Sequence, residues 1–270
     1  MVQAQSSTEL LSYPNREFML IGGKDGVGKS SSAVSIAWWV QQLKPDATVN
    51  VIDSENKFKS ALRSFGSDRP TNIQYYKVGN MNEVTGVVAG VMEGHAPGDW
   101  LIIESMGPIW DMAQDLAYQS IAGVTKAEYL EKKQKGKGPI PSPDDFWKIA
   151  KGAYDGAFLD PIRQSEDLNV LLTSVAKPVK ADGGFMKENK DRKQFRIEVG
   201  MDANLSGSPT MPSVVETLCL LELNQGAVTC RVLRDNLSVR DVGRCEFDIP
   251  GRRDFGLTFW SECRGGEIKL

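Results

Sequence analysis

Eight consecutive residues have types and spacing suited to phosphate chemistry: Gly23, Lys24, Asp25, Gly26, Val27, Gly28, Lys29 and Ser30. They spell G-x-x-x-x-G-K-S. Glycines at these positions let the backbone curl so that successive N–H groups face a polyphosphate, and the start of a following helix adds positive potential. In such a loop the lysine, Lys29, reaches the β- and γ-phosphates of a nucleoside triphosphate, and the hydroxyl, Ser30, ligates Mg²⁺. A nucleoside triphosphate and Mg²⁺ are therefore the expected ligands. The elements that must hold the loop are legible on both sides of it. Phe18, Met19, Leu20 and Ile21 form a short apolar run that reads as a buried strand, and Ala33, Ile36, Ala37 and Val40 recur at helical spacing.

Two acidic strand ends come next. Thr48–Ile52 reads as a strand ending in Asp53-Ser54-Glu55, and Trp100–Ile103 as one ending in Glu104-Ser105. Ligands of parallel α/β sheets sit beyond the carboxyl ends of the strands. Glu104 is the candidate to hold Mg²⁺ or its water shell, with Ser105 beside it. Glu55 is the candidate to orient or deprotonate the attacking water, a role that suits a carboxylate near the γ-phosphate. Asp53 competes for that role.

Composition narrows the rest. Hydrophobic residues make up 41% and charged residues 25% of 270, enough for a real core, and the net charge of −3 advertises no global field for nucleic acid. No apolar run is long enough to span a bilayer and the N-terminus has no signal-peptide pattern, so a cytoplasmic location is expected, with no membrane partner. Cys219, Cys230, Cys245 and Cys263 form no C-x-x-C pair and are expected to be free thiols. The one histidine, His95, sits in loop-like text and rules out a multi-histidine metal centre.

Along the chain, residues 1–16 read as a polar leader, 17–239 as the main α/β domain, and 240–270 as a C-terminal extension. Strand and helix alternate from 17 to about 110, with a third strand at Ile73–Tyr76 and a helix at Asn82–Met92, which favours a mostly parallel sheet covered by helices. Residues 123–143 and 177–212 read as mobile loops. Between them Asp145–Gln164 reads as a helix burying Phe146, Ile149, Ala150, Tyr154 and Leu159, followed by a strand at Asn169–Ser174. Val214–Leu223 and Val228–Leu233 around Asn224-Gln225-Gly226 read as a hairpin.

Taken in order, the phosphate loop, the Asp53-Ser54-Glu55-Asn56 strand end, Leu101-Ile102-Ile103-Glu104-Ser105, and the strand Val170–Ser174 resemble the RecA-type recombinase ATPases. The likeness runs from about residue 17 to 236. In size the chain is similar to the short RecA-like ATPases of bacteriophages that accompany single-strand annealing. This resemblance implies a RecA-like P-loop NTPase fold, DNA-dependent ATP hydrolysis in single-stranded DNA annealing or recombination, and self-association. An annealing protein or a single-strand-binding protein would be a further partner. The family places DNA-binding loops where residues 126–137 carry five lysines against two glutamates and residues 177–196 carry seven basic residues against three acidic ones. Lys132, Lys133, Lys135, Lys137, Lys187, Lys190, Arg192 and Lys193 are the DNA-binding candidates, with Tyr129, Phe185 and Phe195 available to stack on bases. Arg234 falls where the family carries a cation that reaches the neighbouring subunit's nucleotide, and Asn236 stands where a second would be expected. Two other readings remain open. Lys24 before Lys29 resembles the variant loop of dimeric partition ATPases, although Asp25 replaces the first glycine of their pattern. A nucleotide-gated loader or packaging accessory is the other.

Overall fold

In the computed structural model, residues 16–135, 143–178, 195–198, 215–235, 246–251 and 253–264 are described. Nine strands form a single sheet: β1 (Phe18–Gly23), β2 (Val49–Asp53), β3 (Ile73–Lys77), β4 (Trp100–Glu104), β5 (Asn169–Pro178), β6 (Phe195–Glu198), β7 (Thr217–Asn224), β8 (Ala227–Asp235) and β9 (Glu246–Ile249). The lateral order is β3-β2-β4-β5-β1-β7-β8-β9, with β6 paired to β5. β3, β2, β4, β5, β1 and β7 run parallel; β8 and β9 continue the sheet antiparallel, and β6 is antiparallel to β5. The mostly parallel α/β sheet flanked by helices, with its later hairpin, is the architecture expected from the sequence.

Strands buried on both faces need largely apolar text, and β1, β2 and β4, buried over their whole lengths, are apolar or glycine apart from Asn50, Asp53 and Glu104. Alternate residues feed two cores. Phe18, Leu20, Ile52, Ile103 and Leu172 meet α3 (Met81–Gly94), α4 (Met106–Ala122) and α6 (Pro143–Lys151) on one face. Met19, Ile21, Val51, Ile102 and Leu171 meet α1 (Lys29–Leu43) and α2 (Lys57–Arg63) on the other. At the β7–β8 turn, Gln225 and Gly226 take φ of 50° and 90°, the left-handed pair that a two-residue hairpin requires.

Three sequence expectations need correction. Residues 126–134, expected within a mobile loop, form helix α5 (Lys126–Gln134), because Thr125 and Glu128 make a reciprocal capping box. Two pieces of the second expected loop, its start at 177–178 and its middle at Phe195–Glu198, pair as the end of β5 and β6, Lys177 opposite Arg196. Ile149 is 37% exposed rather than buried. Here α6 runs into a π-helical stretch, Gly152–Leu159, and then α7 (Asp160–Gln164). Buried residues recur every four positions along it, at Phe146, Ala150, Tyr154, Phe158 and Ile162. The wider π turn keeps that stripe on one face and leaves Ile149 beside it.

The described residues beyond 240 share the same sheet and core. β9 pairs with β8, and α8 (Asp254–Cys263) buries Phe255, Phe259 and Trp260 against the α1 face. Arg264 closes the arrangement with a two-pronged contact to Glu17 at 2.8 and 2.9 Å, both side chains largely buried. Cys219, Cys230 and Cys263 are buried; Cys245 lies outside the described residues. A Cβ added at Gly256 would come within 2.6 Å of Trp39 Cδ1. Gly256→Val is therefore expected to destabilise the whole domain by about 1–3 kcal/mol, read as a lower urea midpoint with unchanged slope.

Candidate functional site

The phosphate loop leaves β1 at Gly23 and enters α1 at Lys29. Gly26 and Gly28 have φ of 79° and 106°, left-handed values that a side chain would strain, and these bends turn the loop back onto the helix start. Gly23 is fixed by crowding instead, since a Cβ there would lie 2.6 Å from Val27 Cγ1 and 3.0 Å from the Leu221 carbonyl. Lys29 is buried and donates to the carbonyls of Gly23 at 2.9 Å and Lys24 at 2.8 Å. Burial lowers its pKa, although Asp25, Glu104 and Glu55 oppose that effect. Lys24, Asp25 and Gly26 are exposed at the tip of the loop.

Glu104, at the end of β4, is fully buried. Its Oε1 accepts a 2.6 Å bond from the Ser30 hydroxyl and its Oε2 a 2.7 Å bond from Thr173 on β5. The structure thus brings together the two residues expected to hold a metal and adds Thr173. Burial pushes the Glu104 carboxyl above the usual range; the two hydroxyls and Lys29 pull the other way, while Asp53 adds to the rise. A hard divalent cation fits this donor set, a carboxylate and a hydroxyl with all-oxygen chemistry. The hydroxyls of Ser54 and Ser105, just past the carboxyl ends of β2 and β4, and of Ser174, level with Gly22 within β5, are buried without a hydrogen-bond partner among the described residues. They are spare donors and acceptors of the kind a hydrated Mg²⁺ uses.

Asp53 does not compete with Glu55. It is fully buried, and its carboxylate accepts from the backbone N–H groups of Glu55, Lys57 and Lys59 at 3.1, 3.2 and 3.3 Å and from Tyr75 at 3.0 Å. It is a structural clamp on the turn into α2. Glu55 is partly exposed and its Oε2 lies 3.0 Å from Lys57 Nζ, which is also 3.6 Å from Asp25 of the loop. Sequence reasoning missed Lys57, whose only signal is a lysine two residues after a strand-end glutamate.

The DNA-binding candidates are only partly described. Lys132, Lys133 and Lys135 are exposed on α5, where Lys135 pairs with Glu131. Lys137, Lys187, Lys190, Arg192 and Lys193, and Phe185, lie outside the described residues. Tyr129 is half-buried, its ring 5.0 Å from Tyr118 and 5.5 Å from Phe146. The α5 cap turns Tyr129 toward that cluster. Arg234 pairs with Leu218 on β8, whereas Gly23 is level with Leu221. Arg234 is thus roughly 10 Å nearer the amino end of the parallel strands, and two strands away from β1, at a position that does not serve its own loop. His95, expected to have no metal role, joins the end of α3 to Asp167 through a 2.8 Å contact. Among the described residues no cluster of histidine, cysteine and acidic side chains forms a metal centre, and no helix is long and apolar enough to cross a membrane.

The sequence matches no protein-family model and no curated protein. Among solved structures, the chain is similar to a KaiC-like protein of the hyperthermophilic archaeon Pyrococcus horikoshii, with 10% identity, a TM-score of 0.48, and coverage of 89% of this chain and 88% of that one. It is also similar to the flagellar accessory protein FlaH of Methanocaldococcus jannaschii, with 11% identity, a TM-score of 0.42, and coverage of 83% and 81%. Likeness at this level says nothing of chemistry, which rests on the chain's own residues.

The Glu104 environment sets a stability cost. A carboxyl whose folded pKa is raised contributes stability below its unfolded pKa and loses it as pH rises through the folded value. Glu104→Gln removes the buried charge and keeps a hydrogen-bonding amide. The variant is expected to gain about 1 kcal/mol without nucleotide at neutral pH, raising the melting temperature by about 2–4 °C. The gain should shrink as the pH is lowered through the carboxyl range, which thermal melts at two pH values would show.

Proposed function

We propose that the chain is a Mg²⁺-dependent P-loop ATPase of RecA type that hydrolyses ATP to ADP and phosphate in single-stranded DNA annealing or recombination. The observation that carries the ATPase is the contact of the Ser30 hydroxyl with the buried Glu104 carboxylate, one helical step from Lys29. Loop amides and Lys29 would hold the phosphates. Ser30 and Glu104 would hold Mg²⁺, which when bound neutralises phosphate charge. In the reaction a water oxygen bonds to the γ-phosphorus, the bond to the bridging oxygen breaks, and ADP departs. Glu55 orients that water and accepts its proton.

The DNA role is supported by the resemblance in motif order, by exposed Lys132 and Lys133 on a capped helix, and by the lysine-rich text after it. Arg234, level with the middle of β1 and two strands away from it, suits service to a neighbouring chain in a head-to-tail assembly.

Hydrolysis measured with and without oligonucleotide tests both parts. Turnover should rise with added single strands, and the rise should fall steeply with salt. Lys29→Ala should weaken ATP binding by roughly two orders of magnitude, the scale of deleting a partly buried charge partner. A wild-type rate indifferent to DNA would remove the DNA role and leave the ATPase. Loss of ATP-dependent dimerisation in Lys24→Ala would point instead to the partition-type alternative.

A further inference from the structure

Lys57 is the first residue of α2, and its backbone is pinned. Asn56 before it adopts φ of 59°, and the buried Asp53 carboxylate accepts the N–H groups on either side and that of Lys57 itself. From this fixed turn the ammonium spans two carboxylates, Glu55 at 3.0 Å and Asp25 at 3.6 Å. One belongs to the candidate that orients water and the other to the tip of the phosphate loop.

The loop shows which end of a triphosphate this is. The Lys29 ammonium, which in such loops reaches the β- and γ-phosphates, lies on the carbonyls of Gly23 and Lys24. Asp25 is the next residue, so Lys57 stands beside the part of the loop that Lys29 crosses. Its contact with Glu55, the candidate that orients the attacking water, puts it on the γ side of that reading. An acid there is unfavourable to an arriving anion. Two ammonium groups, Lys29 and Lys57, stand among the carboxyl groups of Asp25, Glu55 and Glu104. Partial burial draws the Lys57 pKa down, but Glu55, Asp25 and Glu104 together hold it above the ordinary lysine value.

We propose that Lys57 is a second phosphate-binding cation supplied by the same chain: on triphosphate binding its ammonium leaves Glu55 and Asp25 for the γ-phosphate, which frees Glu55 to orient water. This rests on the ATP hydrolysis proposed above. ADP has no γ-phosphate, so with ADP bound Lys57 stays on its carboxylates.

Calorimetric titration of the full chain with Mg²⁺ and either ADP or a non-hydrolysable ATP analogue provides the test. Lys57→Met should weaken analogue binding about tenfold or more and ADP binding less than about twofold, as for loss of one partly screened charge contact. Lys57→Arg should retain most of the preference for the analogue. The Lys57 side chain is 40% exposed, so the variant is expected to melt like the wild type. Lys57→Gln repeats the measurement if methionine perturbs the turn. Equal weakening of both nucleotides, or of neither, would overturn the role of Lys57 while leaving the ATPase standing. If the wild type takes up neither nucleotide, the proposed hydrolysis falls first and the role of Lys57 with it.

Discussion

A buried carboxylate held by two hydroxyls organises this molecule. Glu104 has no counter-charge in direct contact, and its oxygens are occupied by Ser30 from α1 and Thr173 from β5. Those bonds fix the helix after the phosphate loop to two neighbouring strands. They work because β5 lies between β1 and β4. Adjacent strands are about 4.8 Å apart, so the loop strand and the acidic strand are separated by roughly 10 Å. That separation leaves room above β5 for a phosphate and a hydrated cation. Were β4 next to β1, the carboxylate would crowd the loop.

The parts of the site made by local text were legible in the sequence. The loop is contiguous, its strand and helix flank it, and Glu104 follows an unbroken apolar run. The hairpin was legible through Asn224-Gln225-Gly226, where left-handed backbone is required. What escaped depends on contacts between distant residues or on competition between two local signals. Lysine-rich text at 126–135 reads as loop, whereas the Thr125–Glu128 capping box makes Lys126–Gln134 a helix and carries Tyr129 into the cluster with Tyr118 and Phe146. Asp53 and Glu55 look equivalent as letters. They differ because the Asp53 carboxylate is consumed by three backbone N–H groups and Tyr75, which only the fold reveals.

The C-terminal segment shows the same limit. Its text has no chemical motif, yet Phe255, Phe259 and Trp260 complete the core on the α1 face, and Arg264 is bonded to Glu17 at the opposite end of the described chain. Ser35 accepts from the Gly256 N–H and donates to the Arg253 carbonyl, joining α1 to the start of α8. The helix that carries Lys29 and Ser30 is therefore buttressed from behind by residues more than 200 positions away. A phosphate site needs such support, because a helix that shifted would misplace Ser30 against Glu104.

The sheet has two unlike ends, and this constrains any cooperation between chains. The phosphate loop, Glu55, Lys57 and Glu104 gather at the carboxyl ends of the parallel strands. Arg234 sits toward the amino ends, because β8 runs antiparallel back from the hairpin. A residue at that end meets a phosphate loop only if a second chain presents its loop end to it. Such a contact joins different surfaces on the two partners, so it repeats from chain to chain and forms a ring or a filament rather than a closed two-fold dimer. A two-fold pair formed face to face at the loop ends would leave Arg234 remote from both sites and would bring the exposed Lys24 toward the partner instead. On the assembly proposed above, the antiparallel return of β8 therefore ties the mode of assembly to which cation would assist.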